Sequence, residues 1–577
     1  MIKLLTRQRS SFTYLNATQF LGALNDNLYK LLIAYFCIDV LGAEHSTRIL
    51  ATVGAIFVIP FLLFSSTSGM LADRYSKRNI IVICKALETV IMALGTVALA
   101  MHGVWGVYII LFLMASQSAL FGPSKYGIIP ELVKMENISK ANGMITMMTF
   151  LAIIIGTFLA SFVTDITDRN FIITGAVCTL VAIAGLLTSI AIEKTPAAGS
   201  TRKIHPWFIL EIYRTTRAIS RRPTLLVAAI GSAYFLFAGA FLQLNMIPFA
   251  IESLNLTDVQ GGYLFLMAAI GIGSGSALAG KISGKTVELG LVPIGGIGMA
   301  IGCFLLDGCS DHLWLIVPLI VIVGAFGGVY LIPLDAYIQL ASPKKIRGQV
   351  LATTNFFAFV GVLAASAVLF LLSEVLELEA DKGFTFLGFL TIAITVLVSS
   401  QMYHYFTRYL GMLVSRLHFK ISVHGDEHAP KERPSIFICH HTAWNDTLIL
   451  LGAQHVPMRF FAERLHTHSK LLHRLYRLLK VITIRSINDI ELSPRKCKLI
   501  RSSLRRGISI CILLDEAHPM ESPEQLKAAF RKTLIKTAAS IVTVDIKKEE
   551  KPQGTKIERF LQKIRVPAHV TFTKIDD

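Results

Sequence analysis

The sequence predicts an all-α bundle of twelve membrane helices, arranged six plus six, followed by a cytoplasmic α/β domain. Mean hydropathy is +0.59 and only 16% of the 577 residues are charged, whereas soluble proteins carry about 25%. Twelve apolar stretches approach the roughly 20 residues that a helix needs to cross a bilayer. Charged residues are denser after Arg408, which gives the end of the chain a soluble composition.

The apolar stretches centre near residues 30, 60, 90, 113, 153, 182, 238, 270, 298, 325, 359 and 395. A cleaved signal peptide does not fit, because the first stretch contains Asn25, Asp26 and Asn27 and eleven more stretches follow it. The eight cysteines are scattered without a CxxC pair. This spacing predicts neither a disulfide framework nor a structural zinc site.

The connections between the stretches alternate in charge. One set is basic, namely 74–78, 194–222, 281–285 and 344–347, while the alternate connections are neutral or acidic. Because basic loops face the cytoplasm, we expect both termini and the α/β domain to be cytoplasmic. The longest internal connection, 193–223, divides the helices six and six, as expected of two repeated halves.

The connection between the second and third stretches reads Gly69-Met70-Leu71-Ala72-Asp73-Arg74-Tyr75-Ser76-Lys77-Arg78. It resembles the signature of the major facilitator superfamily, which implies that family's twelve-helix fold. We expect a conformational gate formed by Gly69, Asp73, Arg74 and Arg78, where glycine lets helix ends approach. The second-half counterpart, 280–285, lacks the acid. The alternative is a merely basic loop that sets topology.

Several polar residues interrupt the apolar stretches, where a charge costs several kcal/mol. Asp26 and Lys30 are four residues apart, on one helix face, and could partly neutralise each other. Each such residue could be a structural interhelix pair, but together they predict a polar central pathway. Its candidate residues are Asp26, Asn27, Lys30, Lys125, Glu131, Gln243, Asp335 and Gln339.

A narrower resemblance rests on four motifs: Asn25-Asp26-Asn27, Gly122-Pro123-Ser124-Lys125-Tyr126-Gly127, Lys140-Ala141-Asn142-Gly143 and Arg347-Gly348. They look like the bacterial lysophospholipid transporter family, over roughly residues 10–407. The resemblance implies that the protein moves lysophospholipid across the bacterial inner membrane. Membrane lipids are therefore expected to be among its partners. A facilitator for small solutes is a weaker alternative.

After the last stretch, residues 408–430 read as an amphipathic linker at the anionic membrane surface. From 431 to 577, short apolar strands alternate with helical patterns, which predicts an α/β domain. The strands are expected at 435–439, 459–462, 481–485, 508–514 and 542–546, and the helices at 448–453, 472–479, 499–506 and 522–538.

The chemical centre of this domain is Cys439-His440-His441-Thr442-Ala443-Trp444-Asn445-Asp446. His441 at a strand end, with Asp446 in the next turn, predicts an oriented general base. In this context the motif resembles that of the glycerolipid acyltransferase family, Asn-His-x-Ser-x-x-Asp. Here His440 replaces Asn and Ala443 replaces Ser.

The resemblance implies that Arg485, in the second block, and Glu516, in the third, bind the substrate. The third block lacks the family's Pro, Gly and Arg, and Thr543 replaces the Pro of the fourth. These departures leave open an alternative, a transporter whose tail binds lipid without turnover.

The order of the two regions resembles fusions of the lysophospholipid transporter with the 2-acylglycerophosphoethanolamine acyltransferase. This implies import and reacylation of a lysophospholipid, with lysophosphatidylethanolamine the expected substrate. The acyl donor would be acyl-acyl carrier protein or acyl-CoA. We expect no cofactor, no metal ion and no nucleic-acid partner.

Overall fold

The computed structural model describes residues 2–201, 207–284, 286–309, 312–425, 434–441, 445–454, 456–463, 481–484, 493–505, 507–515, 530, 539–548 and 566–574. The chain divides into two compact units, Met1–Gln401 and Met402–Asp577.

The first unit is built from twelve long helices, six on either side of the short helix α8 (Phe208–Ser220). The first six are α1 (Ile2–Leu41), α2 (Ser46–Arg74), α3 (Lys77–Ala100), α4 (Val104–Gly127), α6 (Ile138–Ile166) and α7 (Phe171–Ile190), with the four-residue α5 (Ile129–Leu132) between α4 and α6. The last six are α9 (Pro223–Glu252), α10 (Asp258–Ile282), α11 (Leu291–Gly308), α12 (Leu313–Ala341), α13 (Arg347–Phe370) and α14 (Ala380–Gln401).

Eleven helices in the described chain are long and apolar enough to cross a membrane. The remaining long helix, α1, packs against α6 and α7, with Leu28, Leu32 and Ile33 fully buried. The predicted bundle of twelve helices is therefore confirmed.

The halves approach each other closely at the end that carries the basic connections, which we call the basic end. There a Cβ on Gly143 of α6 would collide with the Ser276 carbonyl oxygen on α10. Gly280 likewise lies against Ser139 and Lys140. Glycine at these positions allows the two helix backbones to touch.

The second unit contains a seven-stranded sheet in the order β1-β7-β6-β2-β5-β3-β4. The strands are β1 (Phe419–His424), β2 (Ser435–His441), β3 (Met458–Glu463), β4 (Ile482–Ile484), β5 (Ser509–Asp515), β6 (Ser540–Lys548) and β7 (Val566–Lys574). All neighbours are parallel except β6 and β7. The predicted α/β class is confirmed, and β1 and β7 are strands beyond the predicted ones.

Side chains alternate between the two faces of the sheet, as the two-residue period of a strand requires. Phe437 and Cys439 of β2 face one apolar core together with helix α16 (Asn445–Ala453). Ile436 and Ile438 face a second core with helix α17 (Pro494–Arg505). Helices therefore cover both faces. The helices expected at 472–479 and 522–538 lie almost wholly outside the described residues.

Helix α15 (Tyr403–His418) differs from the amphipathic linker expected at 408–430. It packs against α16 within the second unit, and Arg408 is only 2% exposed and donates to the Gln454 carbonyl oxygen at 3.2 Å. The chain then continues directly into β1, which pairs with β7. Much of the expected linker thus belongs to the fold of the second unit, while Leu413 and Leu417 remain exposed.

Candidate transport cavity and acyl-transfer edge

A cavity of about 390 Å³ lies within the first unit and is lined by both six-helix halves. Of the eight predicted pathway residues, five line it: Asp26, Asn27, Lys125, Asp335 and Gln339. Aromatic rings such as Phe57, Phe235 and Phe359 complete the wall. The lining thus combines a few charged groups with a large apolar surface, a combination suited to an amphipathic ligand.

The first half contributes the charged part of this wall. Asp26 of α1 accepts a hydrogen bond from the Ser118 hydroxyl of α4 at 2.9 Å. The Lys125 ammonium lies over the Phe121 and Tyr126 rings, 5.6 Å and 4.9 Å from their centroids. A carboxylate and an ammonium group therefore line the same cavity, and aromatic faces help to hold the cation.

Lys85 of α3 also lines the cavity, although it was not among the predicted pathway residues. Its ammonium forms an ion pair with Glu88, one turn along the helix. Asn25 and Gln117 donate to the same Glu88 carboxylate at 3.1 Å and 3.2 Å. The signal was present in the sequence, because opposite charges three residues apart inside an apolar stretch are spaced to form a pair.

The glycine at position 22 makes room for this lysine. A Cβ on Gly22 would collide with the Lys85 ammonium. Lys85 is 2% and Glu88 is 1% exposed. A buried ion pair needs further hydrogen bonds to offset desolvation, and the two amide donors supply them.

The second half presents a different wall. Asp335 of α12 accepts a hydrogen bond from the Ser232 hydroxyl of α9 at 2.7 Å. Gln339, one turn further along α12, exchanges two hydrogen bonds with Asn142 of α6, of 2.7 Å and 3.0 Å. Both amides are buried. This reciprocal pair joins the two halves at the floor of the cavity, on the side of the basic end.

Three predicted pathway residues lie elsewhere. Lys30 sits over the Phe57 ring at 5.3 Å, and the Asp26 carboxylate, whose charge it could partly neutralise, accepts a hydrogen bond from the Ser118 hydroxyl. Glu131 pairs with Lys77 at 2.6 Å, and Gln243 is exposed on α9. None of the three is among the residues that line the cavity.

The predicted gate residue Asp73 fastens the two halves together at the basic end. Its carboxylate accepts hydrogen bonds from the backbone N–H groups of Gly348 and Gln349, at 2.6 Å and 2.9 Å. These amides open helix α13, where backbone N–H groups have no partner within the helix and carry partial positive charge. Asp73 of one half therefore caps a helix of the other.

Gly69 allows this contact. A Cβ at Gly69 would lie 2.8 Å from the Gly348 carbonyl oxygen and 2.6 Å from the Ala352 Cβ. Arg78 acts within its own half, since it donates to the carbonyl oxygens of Ile190 and Ile192 at the end of α7. Arg74 is exposed beside Tyr75. Of the four gate residues, Gly69 and Asp73 join the halves directly.

In the second unit, the predicted general base lies at the carboxyl end of a central strand of the sheet. Strand β2 ends at His441, which stands opposite Asp515 at the end of the parallel strand β5. Helix α16 begins four residues later, and Asp446 lies in its first turn with 2% exposure. The backbone therefore brings His441 and Asp446 to the carboxyl edge of a parallel sheet, where α/β proteins bind ligands.

The two predicted substrate-binding residues, Arg485 and Glu516, lie outside the described residues. The strands that precede them, β4 and β5, are parallel to β2, with β3 between them. The described strand ends thus gather at one edge.

The first unit has the architecture of a membrane transporter, a multi-pass bundle whose two halves enclose a partly polar cavity. Residues 15–366 match the family model for the Major Facilitator Superfamily. This is more than half of the chain, and the chain belongs to that superfamily. Residues 420–546 match the family model named Acyltransferase.

Curated relatives match the transporter part. Lysophospholipid transporter LplT of Klebsiella pneumoniae (strain 342) is 25% identical over 350 residues, which cover 60% of this chain and 84% of the relative. LplT of Cronobacter sakazakii is 26% identical over 342 residues, or 58% of this chain and 82% of the relative.

Solved structures share the fold at low identity. The human organic anion transporter MFSD10 has a TM-score of 0.55 at 13% identity and covers 68% of this chain and 99% of its own. The Escherichia coli fucose:proton symporter FucP has a TM-score of 0.57 at 11% identity, with coverage of 68% and 98%. These structures support the fold of the first unit.

Proposed function

We propose that the chain moves a lysophospholipid, with lysophosphatidylethanolamine as the preferred substrate, across the bacterial inner membrane and reacylates it to a diacyl phospholipid. The observation that carries the transport step is the cavity, which combines Asp26, Lys85 and Lys125 with an apolar wall. The similarity to relatives named lysophospholipid transporter supports the same substrate class.

The charges of the cavity complement a zwitterionic head group. Lys125 supplies a cation for a phosphate, and the Asp26 carboxylate supplies an anion for an amine. The aromatic wall, including Phe57 and Phe359, suits the start of a single acyl chain.

Acyl transfer is assigned to the edge of the sheet in the second unit. The His441 imidazole removes the proton from the free glycerol hydroxyl, and that oxygen attacks the thioester carbonyl of the acyl donor. The carbon–sulfur bond then breaks, and the thiolate leaves with the proton returned by His441. Asp446 orients the imidazole and stabilises its protonated form. Arg485 and Glu516 are assigned to the head-group end of the lysolipid.

The placement of the two activities in one chain raises the effective concentration of imported lipid at the transferase. We assign both termini and the transferase domain to the cytoplasmic side, because the basic connections lie at one end of the bundle. The donor is acyl-acyl carrier protein or acyl-CoA.

The experiment uses the full-length protein in liposomes with labelled lysophosphatidylethanolamine and each donor in turn. Wild type should form diacyl lipid, and His441→Ala should lower the rate by about 10²–10⁴ while lysolipid flipping continues. Lys125→Ala should slow flipping, while acylation of lysolipid already on the transferase side stays normal. Equal product from wild type and His441→Ala would refute the assignment of the base.

A second candidate is transport alone, with a tail that binds lipid without turnover. The altered third block, where Ala517 follows Glu516 and the family's glycine is absent, favours it. In the same liposomes this candidate predicts flipping but no diacyl product from either donor.

A further inference from the structure

Helix α8, which connects the two halves, carries a surface that neither the cavity nor the gate uses. Its inner face packs against α2, α9 and α13, with Ile212, Thr215 and Ile219 buried. The Phe208 and Phe356 rings lie 6.3 Å apart. The helix is therefore held across the seam between α2 of the first half and α13 of the second.

The outer face of α8 is divided into two stripes. The first is apolar and includes Ile209 and Tyr213, four residues apart, which are 63% and 59% exposed. Trp207, directly before the helix, is 72% exposed. Large exposed aromatic and aliphatic groups of this kind belong at a membrane interface, where aromatic rings prefer to sit.

The second stripe is basic. Arg214, Arg217 and Arg221 follow each other at spacings of three and four residues, so they share one side of the helix. All three are exposed, and Arg214 also pairs with Glu211 at 2.7 Å. An apolar stripe beside a basic stripe is the pattern of a helix that lies in the surface of an anionic bilayer.

The chain itself places this surface at the level of a membrane boundary. Helix α8 ends at Ser220, and α9, a candidate membrane span, begins at Pro223. Two residues cannot carry α8 far from the start of that span, because each residue extends the chain by less than about 3.6 Å. The outer face is thus kept near the lipid head groups.

We propose that α8 docks on anionic phospholipid head groups, with Trp207, Ile209 and Tyr213 entering the interface and the arginines contacting the phosphates. Each arginine near an anionic surface contributes a factor of about five to such binding. The occupant is a lipid surface and not an acidic protein, because the face carries exposed apolar groups beside the arginines and α8 ends two residues before a candidate membrane span.

The test measures quenching of Trp207 fluorescence by phosphatidylcholine brominated in its acyl chains. Full-length protein is placed in vesicles of phosphatidylcholine, with or without phosphatidylglycerol. Because the chain has four tryptophans, the signal of Trp207 is the difference between wild type and Trp207→Phe. We expect stronger quenching when phosphatidylglycerol is present.

The variant Arg217→Gln/Arg221→Gln should lose most of the quenching that depends on phosphatidylglycerol. The control, Lys344→Gln/Lys345→Gln, removes the same charge from exposed residues at the same end of the bundle and should retain it. Quenching that is equal in both vesicles, or equally reduced in both variants, overturns the proposal. An unquenched Trp207 does so as well, and indicates a face open to water or covered by a soluble partner.

Discussion

The two halves of the bundle line one cavity with different chemistry. The first half contributes Asp26, Lys85 and Lys125, with Glu88 buried behind them. Of the described residues that line the cavity from the second half, Asp335 alone carries an ionisable group, and aromatic and aliphatic side chains predominate. Two halves with the same fold thus contribute unequally: both supply apolar surface, but most of the charge comes from the first half. This difference predicts that recognition of a polar head depends mainly on the first half.

The largest effect should come from breaking the buried ion pair of the first half. Glu88→Leu leaves the Lys85 ammonium buried without its carboxylate and should lower the stability of the bundle by about 3–5 kcal/mol. Thermal unfolding in detergent measures this. The double variant Lys85→Met/Glu88→Leu should recover most of the loss, since an apolar pair of similar size fills the site.

The second half offers a matched control for that prediction. Lys382 pairs with Asp307 at 2.8 Å and is 51% exposed, so Lys382→Met should have a much smaller effect than Glu88→Leu. Comparable losses from the two variants would show that burial does not distinguish the halves.

The next effect separates the two carboxylates of the cavity. Asp26→Asn should slow lysolipid flipping about 10- to 100-fold, which corresponds to a lost charge-assisted contact of about 1.5–3 kcal/mol. Asp335→Asn should slow flipping less than tenfold. The head group is expected to bind beside the lysines, and these line the cavity from the first half. The readout is the flipping rate in liposomes. A reversal of this order would place head-group recognition in the second half.

A smaller effect tests the seam between the halves. Gly348→Ala places a Cβ 2.6 Å from the Gly69 carbonyl oxygen and 2.8 Å from Asp73 Oδ1. This crowding should destabilise the closed basic end by about 1–3 kcal/mol, measured as increased labelling of a cysteine introduced at Gln349. The control Gly262→Ala has open space at its Cβ and should leave labelling unchanged.

An effect of comparable size is expected at the amide pair that crosses between the halves. Asn142→Leu and Gln339→Leu each leave one buried amide without its reciprocal partner, and each should cost about 1–3 kcal/mol. The double variant should cost less than the sum of the two. Thermal unfolding of the three variants gives the coupling energy, and strict additivity would show that the two amides act independently.

Hydropathy predicted the twelve helices, because the bilayer imposes both length and composition on each span, but α1 (Ile2–Leu41) begins well before the stretch that was centred near residue 30. The alternation of short apolar strands with helical patterns also predicted β2, β3, β4, β5 and β6. Strands β1 and β7 were missed. They pair with each other across more than 140 residues of sequence, a contact that local patterns do not encode.

The candidate site was predictable in part. Asp26, Lys125 and Asp335 were identified because they are charged residues within apolar stretches. Burying a charge in a membrane costs free energy, so such residues indicate a functional site. The partner of each residue was not predictable. Lys77 rather than a cavity ligand pairs with Glu131, and the Lys85–Glu88 network depends on Asn25 and Gln117 from two other helices.

The contact between Asp73 and the start of α13 has a consequence for which substitutions the sequence can accept. Its partners are the backbone N–H groups of Gly348 and Gln349, which every residue except proline possesses. Replacement of the Gln349 side chain therefore leaves both hydrogen bonds available. The closure depends chemically on one carboxylate, and on the other half only on a small residue at position 348. Side chains on the surface of α13 near this point can therefore change during evolution, while the two hydrogen bonds from its backbone to Asp73 are kept.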